Sequence, residues 1–440
     1  MSRTAVPWLE VILLVALAAF LLAGAGGVPF HPDETTWLFQ SRDLEAFLAR
    51  PRSLAWRSGL EPSPDMTYRL LNAPLAKDVL AAARWIVGAP AAAVAVDWTW
   101  SDSWDDNVAA GALPAPGVLA AARTASAGLV VLAVVALYFC GTALAGRGTG
   151  LAAAILLGTN ALVLLHGRRA MAEGALTLAV CLALLGLLHA ERHPWLAGIA
   201  AGLAFAAKTS AAVWIPVGWM AAAWSADPQR RSWRAVAARV GAFTLAAGGV
   251  TLLLYPVLWA EPLNALAAMW RARQELLAAQ VAATNAVMPW AVLVTPGQRA
   301  ATFLVHLYFS PLQFAEAANY LRQTAAAEAA YSASPFHALF RGLAGGALLL
   351  GLTLLGIAQG LRRVRMPETN ERRAFGVVLV ATAVQAAALA FAVPLAFQRY
   401  VLPLVPLVCL WCGYAIAGVV ERLARGRRPT RDPAAPKADS

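Results

Sequence analysis

Charge is scarce in this chain of 440 residues. Asp, Glu, Lys and Arg make up 13% of it, against 60% hydrophobic residues, and the mean hydropathy is +0.61. A soluble domain of this length needs far more polar surface, so a polytopic membrane protein is implied. Cysteine is scarcer still. Cys140, Cys181, Cys409 and Cys412 all fall within apolar spans. The last two have CxxC spacing but sit mid-helix with no partner pair, so small apolar helix residues are favoured over redox or zinc ligands, and no disulfide framework follows. Nucleotide-binding signatures are missing as well: there is no GxxxxGK[ST], and no GxGxxG between a strand and a helix. An energised group would have to arrive already in the membrane. No internal repeat is evident either, which counts against transporters built from repeated halves.

What the chain does have is basic residues in blocks. The net charge of +11 invites a nucleic-acid reading, but the arginines are not spread as that would need. One cluster is Arg230, Arg231, Arg234 and Arg239, and a second is Arg362, Arg363, Arg365, Arg372 and Arg373. A third runs from Arg422 to Lys437. Each lies between or beyond apolar spans, the pattern of cytoplasmic loops facing anionic lipid, and no nucleic-acid partner is implied.

The expected fold class is an all-α polytopic membrane protein with about ten transmembrane helices, near 7–28, 118–145, 149–166, 170–190, 194–207, 209–225, 236–258, 337–361, 374–395 and 400–421. Segments five and six are separated only by Lys208. Reading them as a helical hairpin puts all three basic clusters on the cytoplasmic side, whereas one long helix loses that bias. The first span, with Arg3 ahead of it and Ala23-Gly24-Ala25 near its end, is expected to be a retained anchor rather than a cleaved signal peptide.

Two long extracytoplasmic regions result, 29–117 and 259–336. The first carries eleven acidic and seven basic residues, a net charge of −4. In it Trp37, Leu38, Leu44, Phe47 and Leu48 share a face of a helix that also carries Arg42, Asp43, Glu45 and Arg50, as a helix lying in the interface is built. The stretch 75–95 reads alike, and Trp85, Trp98, Trp100 and Trp104 suit the headgroup belt. The expected divisions are a transmembrane module 1–258 that includes loop 29–117, an external region 259–336, C-terminal helices 337–424, and a disordered cytoplasmic tail 425–440.

His31-Pro32-Asp33-Glu34 follows directly on the first apolar span, and adjacent carboxylates at a membrane helix end are costly to keep without a use. On this topology other polar residues gather at the same face: His166, Arg168, Arg169 and Glu173 between segments three and four, Lys208 in the hairpin, Tyr255, Trp259 and Glu261 after the seventh, and Gln398, Arg399 and Tyr400 before the tenth. Arg168, Arg169, Lys208 and Arg399 can hold a phosphate at headgroup depth. Asp33 can take the proton of a hydroxyl as its oxygen attacks a carbon bearing a phosphate leaving group. Arg168 and Arg169 are adjacent, so on a helix they point about 100° apart and one of them faces the site. Tyr68 and Trp259 are the aromatic residues to test for sugar stacking. His31 and His306 are candidates for a divalent cation beside Asp33 or Glu34, although lone histidines in external loops are more often unspecific. The plainer reading of Asp33 and Glu34 is that they cap the next helix.

Several stretches together resemble the GT-C class of membrane glycosyltransferases, in the branch of the protein O-mannosyltransferases and the lipid A aminoarabinose transferases. They are His31-Pro-Asp-Glu34, Asn72-Ala-Pro-Leu75, Arg168-Arg-Ala-Met-Ala-Glu173, Gly202-Leu-Ala-Phe-Ala-Ala-Lys208, Tyr255-Pro-Val-Leu-Trp259 and Arg399-Tyr-Val-Leu-Pro403. They run over most of the chain in the expected order, while residues 259–336 match nothing in that family. The resemblance implies an inverting transfer of a sugar from a polyprenyl-phosphate donor to a lipid, glycan or protein acceptor, at the periplasmic or outer face of a bacterial inner membrane. It makes Asp33 the catalytic carboxylate with Glu34 beside it. The acidic residue after the arginine turn, usually Asp, is here Glu173. From their own chemistry, Arg168, Arg169, Lys208 and Arg399 are the candidates for the donor phosphate, and Tyr68, Trp259 and Tyr400 for sugar or acceptor contact. The resemblance fixes no cofactor, and because some members use a divalent cation, one is a candidate here. The rival readings are a transporter or flippase of a lipid-linked or anionic solute, and a non-catalytic subunit that binds a polyprenyl lipid.

Overall fold

The computed structural model describes residues 8–59, 61–225, 232–316, 320–366 and 369–426. Among these residues every regular element is helical, and one isolated bridge joins Val292 to Leu395. The first apolar helix is α1 (Trp8–Ala23). The first external region then folds as α2 (Pro32–Gln40), α3 (Asp43–Ala49), α4 (Pro64–Leu71), α5 (Pro74–Ile86) and α6 (Trp104–Ala109). The chain re-enters the bundle with α7 (Pro116–Ala145), α8 (Arg147–Gly158), α9 (Ala161–His166), α10 (Ala172–His189), α11 (Pro194–Ala207), α12 (Trp214–Ala223) and α13 (Trp233–Leu254). The second external region holds α14 (Pro262–Val287), α15 (Pro296–Tyr308) and α16 (Leu321–Ser332), and α17 (Gly342–Val364), α18 (Asn370–Ala392) and α19 (Val405–Gly426) complete the bundle.

Among the described residues six helices are long and apolar enough to cross a membrane: α7, α10, α13, α17, α18, and α19 with the 3-10 turn Gln398–Leu404 that leads into it. Shorter apolar helices fill the other four expected positions: α1, α8, α11 and Thr209–Ala223. The polytopic all-α reading therefore holds, with three local differences. The third expected segment breaks after Gly158, because Asn160 Oδ1 accepts from the amides of Leu162 (3.0 Å) and Val163 (3.3 Å) and starts α9 afresh. The sixth begins as a 3-10 turn, Thr209–Val213. The seventh stops at Leu254 because Pro256 cannot continue a helix and constrains Tyr255 before it. Between segments five and six the backbone turns extended at Lys208 and α12 packs back on α11, which is the hairpin. Arg230, Arg231 and the tail beyond Gly426 lie outside the described residues.

Small residues set the helix spacing. A Cβ on Gly150 of α8 would lie 2.4 Å from the Tyr138 carbonyl oxygen of α7, and one on Gly413 of α19 would lie 2.7 Å from the Ala153 nitrogen of α8. One apolar core runs from Leu21 to Cys412 and takes in Phe303, Leu307 and Tyr308 of the second external region.

The first external region is not a set of separate surface helices. Asp43 on α3 accepts from Arg69 of α4 (2.8 Å) and from Lys77 of α5 (3.0 Å), and Arg84 of α5 pairs with Glu45. The charged face expected to look into water is thus turned partly onto neighbouring helices. Trp85 and Trp100 are exposed, as the headgroup belt requires. Trp98 is instead buried, its ring 5.9 Å from Phe30 and 5.4 Å from Trp104.

Candidate functional site

α2 is built to hold two carboxylates at the end of α1. Pro32 occupies its first turn, where no amide donor is needed. His31 caps it, its Nδ1 accepting from the Asp33 amide at 3.1 Å, and the Glu34 side chain returns to accept from the His31 amide at 3.0 Å. The plainer reading is therefore realised for Glu34. Its carboxylate also takes Nε and Nη2 of Arg123, both at 2.7 Å, and the Ala170 amide at 2.9 Å. With four donors and no exposed surface, Glu34 clamps α2 to α7 and to the turn ahead of α10. Burial acts to raise its pKa, and the Arg123 guanidinium outweighs that and holds it below the ordinary glutamate value.

Asp33 points the other way. Its Oδ2 receives Nη1 of Arg399 at 2.5 Å, and its side chain is 21% exposed. Arg399 also turns Nε toward Glu316 Oε1 at 3.3 Å, while its Nη2 makes no hydrogen bond among the described residues. Burial pushes the Asp33 carboxyl up, but the Arg399 charge more than offsets this and keeps it an anion. Beside them Lys208 Nζ meets Glu173 Oε1 at 2.9 Å. The other oxygen of Glu173 is buried with no partner among the described residues, and so are both ring nitrogens of His166 and the hydroxyl of Tyr320. His166 and Tyr320 both lie within electrostatic reach of Glu316 and Arg399.

Of the two adjacent arginines, Arg169 faces this cluster and Arg168 does not. Arg169 donates to the carbonyls of Pro29 (3.2 Å) and Phe314 (2.8 Å), tying both external regions together. Arg168 turns toward α1, donating to the Phe20 carbonyl at 3.0 Å with its guanidinium over the Phe20 ring. Both are buried. Tyr400 adjoins Arg399 and packs on Phe397. Tyr68 gives its hydroxyl to Asp97, lines a groove with Phe39, Arg42 and Asp65, and lies within electrostatic reach of Asp33. Trp259 is 40% exposed, edge-on to Phe47, and is not brought to the cluster. His306 sits on α15 and makes no contact with Asp33 or Glu34 among the described residues.

Glu316, Arg123 and Tyr320 are the members that sequence reasoning did not find. Arg123 left a usable signal, because a guanidinium inside an apolar span needs a counter-charge. Glu316 left none; it is a lone acid in a region without periodicity. Among the described residues no three His, Cys, Asp or Glu side chains are grouped to hold a metal. A cation between Asp33 and Glu316 would have to displace Arg399 from both.

No family model matches the sequence, and no curated protein matches it. Among solved structures, the oligosaccharyltransferase of Archaeoglobus fulgidus in its apo form aligns over 96% of this chain and 52% of its own, at 13% identity and a TM-score of 0.53. The same archaeon's enzyme in complex with an inhibitory peptide and a dolichol-phosphate aligns over 97% and 53%, at 12% identity and 0.49. The S. cerevisiae protein O-mannosyltransferase complex bound to the sugar donor aligns over 60% and 35%, at 18% identity and 0.41. The chain thus spans about half the length of the archaeal enzyme and about a third of the yeast one. At the level of fold, the chain resembles the archaeal oligosaccharyltransferase, as an all-α polytopic membrane protein.

Proposed function

We propose that the chain transfers a sugar from a polyprenyl-phosphate donor to an acceptor hydroxyl at the extracytoplasmic face of a bacterial inner membrane, with inversion at the anomeric carbon. One observation carries the reading: of the four clustered carboxylates, Asp33 alone combines appreciable exposure with a single cationic partner that has a free nitrogen. Glu34, Glu173 and Glu316 are 0%, 3% and 7% exposed at the side chain, against 21% for Asp33. Arg399 and Lys208 are the reachable cations, at 14% and 25%.

The donor phosphate binds Arg399 through Nη2, with Lys208 adding a point charge. The lipid tail lies along the apolar helices. The acceptor oxygen attacks the anomeric carbon, the bond to the phosphate oxygen breaks with its electron pair, and polyprenyl phosphate leaves. The hydroxyl proton passes to Asp33. An aspartate held below its ordinary pKa is a weak base, so the proton moves late, once bond formation has made the hydroxyl acidic. The unpartnered atoms of Glu173, His166 and Tyr320 suit the hydroxyls of a sugar, since buried polar groups are rarely left unmatched. No step in this scheme uses a metal. Arg168, Arg169 and Glu34 brace the frame.

The test uses purified protein in lipid, wild type against Asp33→Asn, with radiolabelled polyprenyl-phosphate sugars and a membrane extract as acceptor source. Label passing to an acceptor with wild type, and at least about a hundredfold more slowly with Asp33→Asn, is the expected result. Undiminished transfer by the variant sinks the role of Asp33. Saturable donor binding without transfer in either protein points to the transporter or to a lipid-binding subunit.

A further inference from the structure

The second external region is held to the mouth of α19 by a reciprocal clasp. The Gln313 amide donates to Gln398 Oε1 at 2.8 Å, and the Gln398 amide donates to Gln313 Oε1 at 2.7 Å. Gln398 Nε2 adds bonds to Ser310 Oγ and the Pro311 carbonyl, both at 2.9 Å. The clasp fixes the backbone three residues ahead of Glu316 and one residue ahead of Arg399. Glu316 then spans two groups that flank Asp33. Its Oε2 lies 2.7 Å from His31 Nε2 and its Oε1 lies 3.3 Å from Arg399 Nε. Because His31 Nδ1 accepts from the Asp33 amide, the ring proton is on Nε2 and points at Glu316.

We infer that Glu316 is a positioning residue for the transfer proposed above. It fixes the His31 imidazole that caps α2, and it lies beside the Nε side of the Arg399 guanidinium as an ion pair at 3.3 Å, without a hydrogen bond to that nitrogen among the described residues. Nη1 then faces Asp33, and Nη2 is left for the donor phosphate. A plain counter-ion would need only Arg399; Glu316 also holds the residue on which the Asp33 backbone rests. The two contacts act on the base and on the phosphate cation together, so their loss disturbs the geometry between them more than the binding of either ligand.

This inference rests on the transferase reading, and the experiment separates the two. Wild type, Glu316→Gln and Glu316→Asp are compared as full chains in lipid nanodiscs. Glu316→Gln keeps an acceptor for His31 and removes the counter-charge beside Arg399. Glu316→Asp keeps the charge but is one methylene too short to reach both partners. With a polyprenyl-phosphate sugar that wild type uses, kcat is expected to fall roughly 10- to 100-fold in both variants, with donor KM changed less than about threefold. Combining either variant with Asp33→Asn costs less than the two effects multiplied, because both act on one geometry. Saturable binding of sugar-free polyprenyl phosphate is retained in both variants. A kcat within about threefold of wild type in both, or loss of that binding in both, overturns the positioning role and leaves wild-type transfer standing. A wild type that moves no sugar from any donor overturns the proposed reaction, and the positioning role with it.

Discussion

Asp33 and Glu34 stand side by side in the first turn of α2, yet one meets a half-open site and the other a sealed one. Glu34→Gln leaves the Arg123 guanidinium buried without its counter-charge, a change that costs about 3–5 kcal/mol. Thermal unfolding in detergent is expected to show a large drop for Glu34→Gln and partial recovery in Glu34→Gln combined with Arg123→Met. Equal losses in the single and double variants would mean that the pair is not coupled. A second residue-scale effect concerns Asp78 on α5. Burial pushes its carboxyl up to about 6 from an ordinary 3.8, with Asp43 adding to the shift and Lys77 opposing it. Because the folded pKa lies above the unfolded one, the native state is favoured while Asp78 is protonated. It loses that advantage as pH rises from about 4 to about 6. Asp78→Asn is therefore expected to leave stability unchanged near pH 3 and to raise it by about 1–3 kcal/mol at pH 8, read as a melting shift at the two pH values. At this scale the sequence was informative where a residue broke a local rule. Asp33 and Glu34 stood out by following an apolar span, but nothing in that pattern separated the cap from the carboxylate facing the site. That division depends on Arg123 and Arg399, which lie far along the chain.

Seven of the described α-helices begin with proline in the first turn: α2, α4, α5, α7, α11, α14 and α15. Such starts are readable from sequence, but only α7 and α11 belong to the apolar segments, which were located by their hydrophobic runs. Breaks inside apolar runs were harder. Asn160 interrupts the third segment by capping, and neither its hydrophobicity nor its length announced this. Close helix approaches are element-scale features as well. Gly150→Val places a branched side chain where even a Cβ would sit 2.4 Å from the Tyr138 carbonyl oxygen and 2.5 Å from the Thr142 hydroxyl. The α7–α8 crossing must then open, and a loss of at least about 2 kcal/mol is expected, with Gly128→Ala, which meets nothing within 4 Å, as the neutral control. Comparable melting temperatures for the two variants would show that the crossing has slack.

Over the whole molecule, the bundle was legible because ten apolar runs and three arginine clusters obey the same charge rule. The second external region was not, since residues 259–336 show neither an apolar repeat nor a charge pattern. Their placement follows from side chains such as Gln313 and Arg169 reaching distant carbonyls and amides. Orientation has a direct test, because all four native cysteines are buried and give little background. In intact cells a membrane-impermeant thiol reagent is expected to label Ser58→Cys, in the first external region, and to miss Met366→Cys, after α17, until the membrane is permeabilised. The reverse pattern would invert the topology and place the Asp33 cluster on the cytoplasmic side.

The ion pair between Asp33 and Arg399 joins residues 366 positions apart. Its partners therefore leave the ribosome far apart in time. Until the hairpin of α18 and α19 is inserted, Asp33 has no counter-charge and Glu316 has only His31. A stalled or shortened chain presents bare carboxylates at the membrane surface, where an anionic headgroup is repelled. On the proposed reading, phosphate capture waits for the hairpin that carries Arg399.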